Sequence, residues 1–157
     1  MKKFELTAES KINIFGKKLF RIKALISFGD VEEGETGGWI EKEENLEQSS
    51  GNAWVYGNAE VSGNARVSGN ARVSGDAEVS GNADYTTIHG FGTQFRTTTF
   101  FQCEDKQIRV SCGCFLGTIP EFREQVKNTR EGKIAEEYLM IADLMEKHFV
   151  KEKESGE

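Results

Sequence analysis

The amino-acid sequence predicts a mainly β protein, in which a short parallel β-helix joins a β-rich N-terminal part to an α+β C-terminal part. Three observations lead to this prediction. A strict six-residue repeat runs through the centre of the chain. Before it, apolar and polar residues alternate as they do in half-buried strands. After it, a hairpin pattern precedes apolar residues at helical spacing, so segments 1–48, 49–93 and 94–157 are predicted as separate parts.

Length and composition restrict the class of protein. The 157 residues suffice for one domain, or two small ones, with a buried core. No apolar run approaches the length of about 20 residues that spans a bilayer. No apolar signal-peptide region follows Met1, and the three cysteines lack C-x-x-C spacing. We therefore expect a reduced, cytoplasmic protein without a membrane segment.

Charge is distributed unevenly along the chain. The net charge of −6 argues against a general nucleic-acid-binding protein. Residues 1–29 carry seven Lys or Arg against two Glu, whereas residues 30–48 carry eight acidic residues against Lys42 alone. We expect two solvated faces, with packing of these blocks on each other or on a neighbouring subunit as the alternative.

Residues 1–48 are predicted to form a β-rich cap. Alternating apolar residues indicate two strands that meet at a turn through Gly16, Lys17 and Lys18. The apolar positions are Phe4, Leu6, Ile12 and Ile14 on the first strand and Phe20, Ile22 and Ala24 on the second. The glycine-rich, acidic stretch from Gly29 to Asn45 is predicted to be an irregular first coil that leads into the repeat.

The six units that begin at Asn52 share residue types at matching positions. Each unit starts with Asn or Asp, continues with Ala, and follows a glycine in every case. The fourth place holds Val55, Val61, Val67, Val73, Val79 and Tyr85. A six-residue period is typical of short strands joined by tight corners. The valines are expected to point inwards and stack, while glycine and asparagine accept the corner conformation.

Taken from valine, the unit V-S-G-N-A-x resembles the hexapeptide-repeat proteins that form left-handed β-helices. The resemblance implies a left-handed parallel β-helix of about two to three coils. It also implies a homo-oligomer, with a trimer preferred and a dimer as the alternative. Residues eighteen apart would then stack, with strands about 4.8 Å apart. Trp54 would lie over Arg72 in a cation–π contact, and Glu60 would lie over Glu78.

Residues 94–157 are predicted to form a hairpin and two helices. The hairpin would pair Thr97–Gln102 with Gln107–Cys112. Thr118, with Glu121 three residues later, is a capping-box signature for a short helix that ends near Lys127. A longer helix carries an apolar stripe that we expect to dock on the β-region or on another subunit. The stripe comprises Ile134, Tyr138, Ile141, Ala142, Met145 and Phe149.

The order of motifs also resembles a family of phage and prophage proteins often described as polymer-forming. The resemblance rests on four stretches, Phe15–Leu25, Gly37–Leu46, Gly51–Val79 and Val110–Thr118. It implies a viral or prophage setting, in the cytoplasm of the host cell. It does not imply a settled biochemical activity.

The segment after the repeats contains the candidate ligand site. Arginine, threonine hydroxyls and backbone amides suit a phosphate group, and an aromatic ring can stack on a base. The candidates are Tyr85 or Phe91 for stacking, His89 for the base edge, and Arg96 with Thr97 or Thr98 for the phosphate. With the phage resemblance, they predict a non-enzymatic, oligomeric counter-defence protein. It would sequester a phosphorylated or cyclic-nucleotide-type signal without a cofactor or metal.

Three alternatives stay open. The first is a protein-binding inhibitor or structural assembly module that contacts a partner, such as a host defence protein, through the acidic block or the helical stripe. The second is an acyltransferase, a common activity among hexapeptide proteins, with His89 as its base. The third is a zinc site built from Cys103, Cys112, Cys114 and His89. The competing interpretation is that the cysteines are simply buried as small apolar residues.

Overall fold

The computed structural model describes residues 2–49 and 51–150. Its elements are β1 (Phe4–Ile12), β2 (Lys18–Ala24), β3 (Thr36–Ile40), β4 (Trp54–Val55), β5 (Glu60–Val61), β6 (Arg72–Val73), β7 (Glu78–Val79), β8 (Tyr85–Phe91), β9 (Arg96–Gln102), β10 (Ile108–Cys112), β11 (Phe115–Thr118), α1 (Ile119–Thr129) and α2 (Gly132–Phe149). Single turns of 3₁₀ helix lie at Glu43–Asn45 and Asn82–Asp84. The charged tail after Val150, for which the sequence predicts fraying, lies outside the described residues.

The strands form three sheets. The largest has the order β1-β2-β3-β5-β7, with antiparallel pairing among β1, β2 and β3 and parallel pairing from β3 onwards. Strands β4 and β6 form a separate parallel pair. Strands β8 to β11 form an antiparallel sheet of order β11-β10-β9-β8. The two predicted hairpins, β1–β2 and β9–β10, are therefore confirmed.

The predicted left-handed parallel β-helix is wrong as the fold class. The two larger sheets are mixed and antiparallel, and the parallel β4–β6 pair has only two strands, so what remains of the prediction is a mainly β chain with a two-helix C-terminal part. Strands β4 to β7 are each only two residues long. Such strands have few ladder hydrogen bonds of their own and need longer neighbours. Accordingly, β5 and β7 extend a sheet that β1 to β3 begin.

Strands β5 and β7 bring together residues that are eighteen apart in the chain. Glu60 lies opposite Glu78 in this parallel pair. Each carboxylate has its own cation, because Lys11 Nζ lies 2.9 Å from Glu60 and Lys106 Nζ lies 3.3 Å from Glu78. The repulsion between the two carboxylates is therefore offset by lysines of the same chain.

The repeats supply a narrow interior of alanine and valine. The alanines and valines of the repeats between positions 53 and 79 are at most 2% exposed. Trp54 is much larger and is also fully buried, with its ring 6.3 Å from that of Phe4 and 5.3 Å from that of Phe28. Phe101 and Cys103 belong to the same cluster. The N-terminal strands and the repeats therefore share one core.

The two helices and the four-stranded sheet enclose a second core. Its buried residues are Phe100, Val110, Cys112, Ile119, Phe122, Val126, Tyr138, Ile141, Ala142 and Met145. The predicted capping box is confirmed, because the Thr118 hydroxyl accepts from the Glu121 backbone N–H and the Glu121 carboxylate accepts from the Thr118 N–H. The apolar stripe of α2 is covered within the chain, because its residues are either buried in this second core or packed against it. The stripe therefore does not offer a partner-binding face.

Asn45 joins the turn after β3 to the repeats. Its side chain is fully buried. Its Oδ1 accepts hydrogen bonds from the backbone N–H groups of Glu41 and Lys42, at 3.2 and 2.9 Å. Its Nδ2 donates to the carbonyls of Gly63 and Ala65, at 3.2 and 2.8 Å. An apolar side chain cannot satisfy these four backbone groups, so the amide stabilises the junction.

We expect Asn45→Ala to lower the free energy of unfolding by about 1–3 kcal/mol, because the buried Ala65 carbonyl and three partly buried backbone groups each lose a hydrogen bond. Urea denaturation followed by circular dichroism measures the change. The control is Asn64→Ala at an exposed position of the repeats, which should change the free energy by less than about 0.5 kcal/mol. Equal losses in the two variants would show that the Asn45 contacts do not stabilise the fold.

Candidate functional site

A cavity of about 330 Å³ opens where the loop after β2, the repeats and the four-stranded sheet meet. We call it the first cavity. Its volume lies at the lower end of the range of about 300–1,000 Å³ that is usual for small-molecule sites. Its charged and hydrogen-bonding side chains include Asp30, Tyr56, Arg72, His89, Arg96 and Thr97. The lining therefore suits a polar ligand.

Asp30, Tyr56 and Arg72 form a hydrogen-bonded cluster on one wall of the first cavity. Nη1 of Arg72 lies 2.9 Å from one carboxylate oxygen of Asp30. The Tyr56 hydroxyl donates to the other oxygen at 2.9 Å. The guanidinium carbon of Arg72 lies 4.8 Å from the centre of the Tyr56 ring. Although Arg72 pairs with Trp54 along the strands, its guanidinium stacks on Tyr56, and this corrects the predicted contact with the indole.

Hydrogen bonding keeps Asp30 ionised. Partial burial by itself would raise the pKa of Asp30, but the hydrogen bonds from Tyr56 and Arg72 outweigh burial and lower this pKa. The pKa of Tyr56 is raised, first by burial and then by its hydrogen bond to the Asp30 carboxylate. At neutral pH the cluster therefore contains a carboxylate, a neutral phenol and a guanidinium, and the charge of Arg72 is offset locally.

His89 and Thr97 lie opposite each other on β8 and β9, and both line the first cavity. His89 Nδ1 and the Thr97 hydroxyl oxygen are 2.9 Å apart. When the hydroxyl donates to Nδ1, the proton of the neutral ring is on Nε2, which can donate to a ligand. In the described part of the chain no carboxylate hydrogen-bonds the imidazole, so the acid–base pair of a typical histidine base is missing there.

Arg96 contributes a positive charge that has no carboxylate partner within residues 2–49 and 51–150. Its guanidinium lies against the backbone of Gly113, which has φ +60°. A Cβ atom at Gly113 would collide with Nη1 of Arg96. Glycine is favoured here by its positive φ. The unpaired guanidinium lines the first cavity.

Three of the sequence-predicted site residues lie elsewhere. Thr98 is buried and its hydroxyl donates to the Cys112 sulfur at 3.3 Å. The Tyr85 hydroxyl donates to the Arg66 carbonyl. Phe91 packs against the second core. Strand alternation turns Thr98 away from Thr97, and a shift of register between β8 and β9 accompanies the change of face at Phe91. The stacking role predicted for Tyr85 or Phe91 therefore has no support in the first cavity.

The prediction from sequence missed Asp30, Tyr56 and Arg72. The eighteen-residue pairing of the repeats gave a partial signal, since it places Arg72 beside Trp54 and only two residues from Tyr56 along the partner strand. No pattern in the sequence connects Asp30 with the repeats. Its position depends on how the loop after β2 packs.

The cysteines do not form a metal site. Cys103 lies in the first core and Cys112 in the second, whereas Cys114 is exposed. Burial raises the pKa of Cys103 to about 12, so its thiol is protonated at neutral pH. Among the residues that the structure describes, no three His, Cys, Asp or Glu side chains are grouped as metal ligands. The zinc alternative therefore lacks a ligand set.

Comparison with known proteins finds no family model that matches the chain and no curated protein that matches it. The resemblance to hexapeptide-repeat proteins and to the phage and prophage family is wrong, because no match supports it and the mixed sheets contradict it. The trimer and the viral setting that it implied lose their basis, and so does the counter-defence role, which depends on that setting. No helix in the described part of the chain has the length and apolar character needed to cross a membrane.

We expect Asp30→Asn to destabilise the protein at neutral pH but not in strong acid. Because the folded-state pKa of Asp30 is lowered, its contribution is complete above the unfolded-state pKa of about 3.9 and disappears as the pH falls through the folded value. Since the Asp30–Arg72 pair is largely exposed, the difference at pH 7 should be at most about 1 kcal/mol.

Urea titrations of the wild type and of Asp30→Asn at pH values from 7 to 2 measure this difference. The control is Asp143→Asn, at another exposed carboxylate that pairs with an arginine. A difference for Asp30→Asn that persisted unchanged at pH 2 would contradict the electrostatic role of Asp30.

Proposed function

We propose that this protein binds a small phosphorylated molecule of the nucleotide class in the first cavity, without chemical turnover. The observation that carries this proposal is the guanidinium of Arg96, which lines the first cavity and has no carboxylate partner in the described residues. A planar guanidinium matches two oxygens of a phosphate group. An anionic ligand would complete the charge balance at this wall.

The other polar groups support the same ligand chemistry. Arg72 adds positive potential, although Asp30 offsets most of it. The Thr97–His89 pair provides a hydrogen-bond donor beside Arg96. The absence of an acidic partner for the imidazole in the described residues favours binding over acid–base catalysis. We place this binding in the cytoplasm, where free thiols such as Cys114 stay reduced.

We expect Arg96→Gln to weaken the binding of nucleoside 5′-monophosphates and 3′,5′-cyclic monophosphates by about 10- to 100-fold, because a charge-assisted hydrogen bond is lost. Isothermal titration calorimetry measures the dissociation constants. The matched control is Arg66→Gln, since Arg66 is exposed and lies outside the first cavity. This control should leave the affinities unchanged.

Two results would contradict the proposed function. One is that the wild type binds none of these phosphates. The other is that Arg66→Gln weakens their binding as much as Arg96→Gln does, which would indicate non-specific attraction to surface charge. Chromatography of the ligand after incubation tests the absence of turnover, because a bound ligand should be recovered intact.

A further inference from the structure

A second cavity, of about 210 Å³, shares Arg96 with the first. It is formed between the four-stranded sheet and helix α1, and Arg96 lines both cavities. Its character differs from that of the first cavity, whose lining has one phenol ring, that of Tyr56, because three phenyl or phenol rings line the second. These are Phe115, Phe122 and Tyr138.

The aromatic wall of the second cavity is rigidly packed. Phe122 and Tyr138 are each only 2% exposed. The Phe122 ring meets the Tyr138 ring edge-on at 5.8 Å and the Phe115 ring at 5.8 Å with an angle of 50°. Phe115 is half-buried. Phe122 and Tyr138 therefore support the half-buried Phe115, whose ring is the part of this wall that a planar apolar group can contact.

Polar groups lie at the edge of this aromatic wall. The guanidinium carbon of Arg130 is 5.8 Å from the Tyr138 ring centre. Gln125 also lines the second cavity, and in residues 2–49 and 51–150 its side-chain amide has no protein hydrogen-bond partner. An aromatic ring with polar edge atoms would find both an apolar contact and a donor and acceptor here.

Arg96 can make a different kind of contact with a ligand in each of the two cavities. The edge of a guanidinium hydrogen-bonds phosphate, while its flat face stacks on aromatic groups. Because Arg96 lines both cavities, its guanidinium is within reach of a ligand in either one. A phosphate in the first cavity would therefore lie next to a ring in the second.

We infer that the ligand is an aromatic phosphate, with its phosphate in the first cavity and its ring in the second. This inference rests on the proposed function, and it adds the place where the ring of the ligand is recognised, which is the second cavity. The two cavities then recognise different halves of one molecule. The aromatic wall of the second cavity would then contact the ring of the ligand, which is the stacking role that the sequence assigns to Tyr85 or Phe91.

Calorimetry with two probes tests the inference. Adenosine 5′-monophosphate carries a ring and a phosphate, whereas ribose 5-phosphate carries the same phosphate without the ring. We expect the wild type to bind adenosine 5′-monophosphate about 10- to 100-fold more tightly, as base stacking on aromatic side chains implies. Equal affinities for the two probes would overturn the inference while leaving the proposed function in place.

A substitution that fills the second cavity provides the second measurement. Thr129 lines this cavity and is exposed, so Thr129→Trp should block it without disturbing a core. We expect this variant to bind adenosine 5′-monophosphate no more tightly than ribose 5-phosphate, and to bind ribose 5-phosphate as the wild type does. Asn128→Trp, at the neighbouring exposed position outside the cavity, is the control and should behave as the wild type.

The outcomes separate the two proposals. If Thr129→Trp leaves the affinity for adenosine 5′-monophosphate unchanged, the ring does not enter the second cavity and the inference is wrong. If neither probe binds the wild type, both the proposed function and the inference fail. If Arg96→Gln weakens the binding of both probes, whereas Thr129→Trp weakens only the binding of adenosine 5′-monophosphate, the proposed function and the inference both stand.

Discussion

The close contact between β3 and the repeats holds the N-terminal half of the molecule together. A Cβ atom at Gly37 would lie 2.7 Å from a ring carbon of Trp54, and one at Gly38 would lie 2.7 Å from the Ala59 carbonyl oxygen. Only glycine permits so close an approach. The alanines and valines of the repeats bury little apolar surface for the number of corners that must be ordered. Burial of Trp54 against the N-terminal strands therefore stabilises both segments.

The packing of the N-terminal strands on the repeats also forms part of the candidate site. Phe28 contacts the Trp54 ring edge-on, and the loop that continues from Phe28 brings Asp30 to Arg72. The four-stranded sheet approaches from the other side, where the backbone N–H of Arg72 donates to the Thr99 hydroxyl at 3.0 Å. The first cavity thus lies where parts of the chain from both cores meet, and polar side chains line the gap that their apolar residues do not fill.

The charged side chains of this protein have different roles, because some pair with each other at the surface and Arg96 lines a cavity. The basic N-terminal block and the acidic block that follows pair in part, with Lys2 at 3.4 Å from Glu43 and Lys17 at 4.0 Å from Glu41. These pairs are exposed to water and contribute little to stability. Arg96 contributes in another way, because a guanidinium left without a carboxylate beside a cavity attracts an anion. The proposed function therefore rests on the charge of Arg96, which lines the first cavity and has no carboxylate partner in the described residues.

The sequence by itself determined the two hairpins, the capping box at Thr118 and the helical stripe, because each depends on residues at a fixed local spacing. It also grouped His89, Arg96 and Thr97, which adjacent strands of one hairpin bring together. Only the tertiary structure decided which sheets the short strands join, since a two-residue strand takes its place from its longer neighbours. The tertiary structure likewise decided that Asp30 reaches the first cavity, because contacts between distant segments depend on the packing of the core.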